Sequence, residues 1–261
     1  MDHSSENPMK PAAPAMAERQ AVCPEHGDFV SRNIFGRIWS KCPACAESAR
    51  AAEEAVEREA ARVAAQRRHR AMIDAACIPA RFVGCTFDSF IADTDAKRHA
   101  VTVARDFAEN FDDHARRGAA LIFAGKPGTG KSHLAGAILQ ALLSPNVRYV
   151  TCMDMVRAVR ETWRRDSERS EVQVLRYLQM LDLLVIDEIG MQYGTDGEQN
   201  ILFDVLDRRY REVKPVILLT NQDKEGFKGF VGERTYDRLR ETSRWVPFDW
   251  ESFRPTARRT A

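Results

Sequence analysis

The chain has 261 residues, of which 44% are apolar and 30% charged, and it carries a net charge of +1. That length allows one substantial core plus a small accessory module, and the near-neutral balance excludes a global field for nucleic acid, leaving only local patches. No apolar run approaches the roughly 20 residues a membrane helix needs, and the first residues lack the apolar stretch of a signal peptide, so the expectation is a cytoplasmic protein with no membrane partner.

Residues 1–21 hold Pro8, Pro11 and Pro14 among small and polar residues, and such a stretch predicts a disordered tail. A compact module is expected over 22–46. It contains Cys23-Pro-Glu-His26, a 15-residue spacer and Cys42-Pro-Ala-Cys45. Two such pairs, each offering two ligands from one tight turn, are the pattern of a zinc knuckle or ribbon. The spacer, with Phe29, Val30, Ile34, Phe35, Ile38 and Trp39, is long enough for a small hairpin. Three thiolates and an imidazole close a tetrahedral set, which points to a structural Zn²⁺ rather than a catalytic one. Cys77, Cys85 and Cys152 are scattered and read as small core residues.

From 47 to 77 the sequence turns to Ala, Glu and Arg, a strong helix former. Its apolar face is thin, Val56 and Val63 with alanine elsewhere, so the helix reads as an exposed linker or a partner-binding helix. A larger domain is expected over 78–261. Phe82, Phe87 and Phe90 read as packing residues at a base pocket, and an amphipathic helix is predicted from Asp95 to His114, with Val101, Ala104, Phe107 and Phe111 on one face.

Leu121 to Ser132 is an apolar strand running into Gly125-Lys126-Pro127-Gly128-Thr129-Gly130-Lys131-Ser132. This is the G-x-x-x-x-G-K-S pattern, whose glycines let backbone N–H groups curl around phosphate at a helix N-terminus. Lys131 is placed to reach the β- and γ-phosphates and Ser132 to ligate Mg²⁺. A nucleoside triphosphate, ATP in the first instance, is therefore expected as ligand. A helix follows to Leu143, then a strand over 147–152 and charged helical sequence to Met180. Leu183-Leu184-Val185-Ile186 is a buried parallel strand ending in Asp187-Glu188. Helix 198–211 and strand 216–219 follow, the latter ending in Thr220-Asn221. Alternation at these intervals predicts an α/β fold, a parallel sheet flanked by helices. Ligands of such sheets sit beyond the carboxyl ends of the strands, where Ser132, Asp187 and Asn221 all fall.

Phosphoryl transfer needs charge neutralisation, metal placement and a positioned water. Asp187 is placed to hold Mg²⁺ through its water shell, Glu188 to polarise the attacking water, and Asn221 to orient that water or sense the γ-phosphate. Arg234 and Arg238, four apart, share a helix face. They read equally as a solvated or salt-bridged pair and as an arginine offered to a neighbouring subunit's γ-phosphate.

Gly125 to Ser132, Leu184-Val-Ile-Asp-Glu-Ile-Gly190, Leu219-Thr-Asn221, Gly232-Glu-Arg-Thr-Tyr-Asp-Arg238 and the closing Phe248-Asp-Trp-Glu-Ser-Phe-Arg254 together resemble the DnaC-type replicative helicase loaders, AAA+ P-loop ATPases close to the IstB-like transposition helpers. The zinc-like start resembles phage and prophage versions of the loader. The resemblance implies ATP hydrolysis stimulated by assembly or DNA, with Lys131, Ser132, Asp187 and Glu188 at ATP and Mg²⁺, Asn221 as sensor 1 and Arg234 with Arg238 in the arginine-finger segment. It places a sensor-2-like arginine at Arg254, although the stretch after Arg234 is short for a helical lid. It also implies a hexameric replicative helicase and single-stranded DNA as partners and self-association on ATP or DNA. Arg157, Arg160, Arg164, Arg165 and Arg169 offer phosphate contacts for that DNA, although a solvated charged helix is the more frequent explanation for such a run. The alternatives are an ATPase helper of a DNA transposase and a zinc-bearing DNA-binding protein whose nucleotide is only structural. Glu188 argues against the last, since a structural site needs no water-polarising carboxylate.

Overall fold

The computed structural model describes residues 17–34, 36, 38–142, 144, 146–190 and 196–253. The tail up to residue 16, Phe35 and Arg254 lie outside the described residues. Contacts divide the chain into two units, Met1–Arg67 and Arg68–Ala261.

In the first unit, β1 (Glu18–Cys23) pairs antiparallel with β2 (Gly27–Arg32). Glu18 to Ala21, expected in the tail, are therefore ladder residues, and the turn of the hairpin is Pro24 to His26 itself. Gly27 takes φ +76° at the exit of that turn. The spacer folds back as well: Asn33 bridges Trp39, Ser40 N donates to Arg32 O and the buried Ser31 hydroxyl donates to Ser40 O. The expected spacer hairpin is thus a continuation of a pairing that starts before Cys23. Helix α1 (Pro43–Ala75) follows; its residues up to Arg67 belong to this unit and the rest to the second. Val56 on it is 69% exposed, as its poor apolar face requires.

The second unit is built on a five-stranded parallel sheet. β3 (Ala120–Gly125) leads through the glycine-rich turn into α4 (Lys131–Leu142) and β4 (Val147–Thr151). Helices α5 (Cys152–Glu161) and α6 (Glu171–Met180) lead to β5 (Leu183–Ile189), α7 (Asp196–Arg211) to β6 (Val216–Thr220), and α8 (Lys224–Val231) with α9 (Glu233–Thr242) to β7 (Ser243–Phe248). The strand order is β4-β5-β6-β3-β7. Right-handed crossovers then place α4, which steps away from β7, on one face and α5 to α9, which step toward it, on the other. The two cores follow that division. Leu183, Val185 and Leu121 pack with α4 and with α2 (Asp95–Glu109), whereas Leu184, Ile186 and Ile122 pack with α5 to α9. The connections diverge between β3 and β6, which opens a crevice at the carboxyl ends of those strands.

Three features depart from the sequence expectation. The helix predicted from Asp95 to His114 breaks at Asn110 into α2 and α3 (Phe111–Arg116). Asn110, whose amide donates to Asp106 Oδ1, caps one and starts the other. Cys152 is a core residue, but Cys77 is exposed and has φ 51°. The parallel edge strand β7 has no clear strand signature in the sequence: its Ser-Arg-Trp-Val-Pro-Phe stretch carries a proline tolerated only where no ladder donor is needed. Arg209, buried on α7, donates to the carbonyls of Leu178, Leu181 and Pro215, and so satisfies the last turn of α6.

Candidate functional site

The glycine-rich turn closes on itself before any ligand is considered. Lys131 Nζ donates to Gly125 O at 2.5 Å and Lys126 O at 2.8 Å, and Thr129 Oγ1 donates to Lys126 O at 2.8 Å. Lys131 and Thr129 are both buried, which fixes the ammonium inside the curl. Gly128 (φ +81°) and Gly130 (φ +98°) provide conformations that side-chain-bearing residues rarely adopt. At Gly130 a Cβ would also lie 2.4 Å from Phe90 Cε2.

Across the crevice, Ser132 Oγ donates to Asp187 Oδ2 at 2.9 Å. The two hard oxygen donors are thereby presented together, as a Mg²⁺ site with retained waters requires. Tyr149 on β4 donates its phenol to the same Asp187 oxygen. Burial, then the charge of Asp187, push the Tyr149 pKa well above its ordinary value, so it remains a donor. Sequence pattern did not single out Tyr149; within β4 it looks like any alternating core residue, and only the neighbouring register, which pairs it with Val185, brings it to the metal corner.

Glu188 owes its direction to a bulge. Between Ile186↔Leu218 and Ile189↔Thr220 three steps on β5 oppose two on β6, and Glu188 sits there with φ 61°. A bulged, left-handed residue turns its side chain away from the strand's alternation. Glu188 is exposed while Asp187 is half-buried, and Glu188 N donates to Asp187 Oδ1 at 2.6 Å. The two adjacent carboxylates therefore face different surroundings. The tip of β6 is stitched to the end of β5: Thr220 Oγ1 donates to Ile189 O and Gln222 Nε2 to Gly190 O. Asn221 stands between those two ties.

Lys131, Ser132, Asp187, Glu188 and Asn221 line one cavity of about 290 Å³ with Pro127 to Gly130. Its far wall is Arg81, Phe82, Phe90, Ile91, Lys97 and His133. Phe82 and Phe90, read from the sequence as packing residues at a base pocket, line this cavity. Phe87 is not among the lining residues, and its ring lies under the Arg105 guanidinium at 5.1 Å.

The two arginines of α9 separate. Arg238 is half-buried in an ion pair with Asp207, with the rings of Phe203 and Tyr210 at 6.0 and 5.5 Å. Arg234 is exposed, its guanidinium 5.4 Å from the Phe203 ring. Among the arginines read as DNA contacts, Arg157 pairs with Asp154, Arg160 with Glu198 and Arg164 with Glu161 and Asp166. Arg165 and Arg169 are exposed.

In the first unit the ligand atoms of Cys23, His26, Cys42 and Cys45 all lie within 4.8 Å of one another. Cys23 Sγ is 3.4 Å from Cys45 Sγ, and His26 Nδ1 is 3.6 and 3.3 Å from those sulfurs. Tetrahedral zinc, with bonds of about 2.0–2.3 Å, spaces its ligand atoms by about 3.5–3.8 Å, and these three separations lie within about 0.4 Å of that spacing, so the donor set suits the ion. The backbone N–H of Glu25, then His26, pull the Cys23 thiol down to about 6. The Cys23 sulfur beside it pushes Cys45 up to about 12. Two thiolates this close repel unless a cation lies between them.

Residues 44–261 match the family model for the IstB-like ATP binding protein. The chain is 40% identical over 173 residues to the replicative helicase loader DnaC of Escherichia coli (strain K12), covering 65% of this chain and 69% of that protein. It is 36% identical over 180 residues to the DnaC loader of Buchnera aphidicola subsp. Schizaphis graminum, covering 68% and 72%. Among solved structures, the DnaC helicase loader superposes with a TM-score of 0.58 at 21% identity, over 64% of this chain and 98% of that one. The replication initiator DnaA bound to AMPPCP and single-stranded DNA does so with 0.54 at 19%, over 64% and 50%. These likenesses give the AAA+ P-loop fold, and among the described residues no helix is long and apolar enough to cross a membrane. With 218 of its residues under the family model, the chain belongs to the IstB-like ATP-binding proteins and stands there with the DnaC-type replicative helicase loaders.

Proposed function

We propose that this protein is an ATP-dependent loader that places a replicative hexameric helicase on single-stranded DNA when replication begins. The observation that carries the reading is the convergence of Lys131, Ser132, Asp187, Glu188 and Asn221 on one cavity in a chain 40% identical to a helicase loader. Lys131 and the N–H groups of the loop bind the phosphates. Ser132 and Asp187 would hold Mg²⁺, which would supply charge neutralisation at the phosphates. Glu188, turned toward solvent by its bulge, takes the proton of the attacking water, and Asn221 orients that water. Arg238 is committed within its own chain to Asp207; Arg234 is the arginine offered in trans when copies assemble on ATP or DNA. The three cysteines and His26 hold one structural Zn²⁺, which orders a unit with little apolar surface of its own. The unit around that zinc and the exposed helix α1 bind the helicase.

The resemblance to the IstB-like transposition helpers, with the match to the IstB-like family model, supports a second reading, in which the same ATPase activates a transposase. The discriminating experiment is capture of the full-length protein by the cognate hexameric helicase and by a transposase, each with and without ATP. Helicase binding supports the loader. Transposase binding without helicase binding overturns it.

A further inference from the structure

The segment that follows β7 touches the phosphate loop at three places. Trp250 Nε1 donates to Thr129 O at 2.9 Å, Phe253 N donates to Gly128 O at 2.9 Å, and Glu251 pairs with Lys126 at 3.5 Å. The segment is rooted in the sheet. The Trp250 ring packs on Phe248 at 4.8 Å, and Phe248, fully buried, packs on Phe123 at 5.2 Å. Trp250, Glu251 and Phe253 also line the cavity that holds Lys131 and Asp187.

A peptide unit is planar and trans, so the carbonyl of one residue and the N–H of the next point in opposite directions. Hydrogen bonds that draw the Gly128 and Thr129 carbonyls toward the strap therefore turn the Thr129 and Gly130 N–H groups the other way. A phosphate nest is made of such N–H groups. The loop holds glycines at 128 and 130, both with positive φ, and glycine loses more conformational freedom on ordering than any other residue. A loop left to order itself around the ligand would lose affinity by that amount. The strap orders it beforehand.

We propose that the strap 249–253, with Trp250 as its positioning residue, preforms the phosphate nest and thereby sets the affinity for the triphosphate. The proposal rests on the reading of this cavity as an ATP site, and its test separates the two. MgATP is titrated into the full-length wild type and into Trp250→Phe, which keeps a ring on Phe248 but removes the donor. Phe253→Pro, which removes the other donor at an exposed position, is the second variant. Amide hydrogen exchange is read on each in the absence of nucleotide. Each variant is expected to bind ATP about fivefold more weakly, the usual share of one hydrogen bond. Faster exchange should be confined to the loop 126–131. No ATP binding by the wild type would remove the ATP site itself. Wild-type binding with both variants within twofold of it, or tighter, overturns the strap's role. Weaker binding accompanied by exchange that also rises across β5 and β6 overturns it too, because the effect would then be loss of the fold.

Discussion

Gly125→Ala tests how the phosphate loop is joined to the sheet. Gly125 pairs with Phe248 in the β3–β7 ladder and has φ +145°. A Cβ there would lie 2.3 Å from Phe248 O and 2.7 Å from its carbonyl carbon, both backbone atoms that no rotamer change can move. Relief requires β7 to shift by about 1 Å, against ordinary carbon–oxygen contact. Holding a non-glycine residue at such a φ costs roughly 1–3 kcal/mol, and overpacking adds roughly 1–3 kcal/mol. The sum, roughly 2–6 kcal/mol, corresponds to a melting temperature about 5–20 °C lower for a domain of this size. Gly229→Ala is the control. It lies in α8 with nothing within 4 Å of the added methyl, so helix propensity should stabilise it by up to about 1 kcal/mol. Thermal unfolding followed by circular dichroism reads both. A Gly125→Ala protein melting within about 2 °C of wild type would refute the close approach of β7 to the loop.

Three further outcomes are expected. Lys131→Ala should lose ATP binding, whereas Glu188→Gln should keep it and lose hydrolysis; equal turnover in Glu188→Gln and wild type would remove Glu188 from its role. Protein purified under reducing conditions without chelator should carry one zinc per chain, and Cys42→Ser should carry much less. Elemental analysis finding none in the wild type would end the zinc assignment. Arg238→Ala should lower the melting temperature of the isolated chain because the largely buried Asp207 loses one of its two arginine partners and keeps only Arg211. Arg234→Ala should leave melting unchanged and lower ATPase activity, with partial rescue on mixing with Lys131→Ala; no rescue would leave Arg234 as a surface residue.

The phosphate loop, the β5 strand with its two acids and the β6 tip were legible because each joins a buried apolar run to residues whose chemistry has few other uses. The four zinc-ligand candidates were legible for the same reason: paired cysteines and a histidine at turn spacing. The missing parts depend on neighbours that are distant in sequence. Tyr149 acquires its place from the register of β4 on β5. Glu188 acquires its direction from one extra residue in a ladder. Strand β7 looks like a short proline-bearing loop until β3 is seen to pair with it. Arg234 and Arg238 were indistinguishable by spacing, and Asp207, on another helix, separates them. In the first unit, Glu18 to Ala21 look like more of the tail until Gly27 to Arg32 pair with them.

The most direct test of the loader account is helicase loading itself. Cognate hexameric helicase, closed circular single-stranded DNA and this protein are combined with ATP, and helicase retained on the circle is counted after gel filtration. The account predicts that the full-length wild type raises the helicase on DNA several-fold over helicase alone, and that Lys131→Ala does not. Equal loading with and without the protein, at concentrations where it binds ATP, would contradict it.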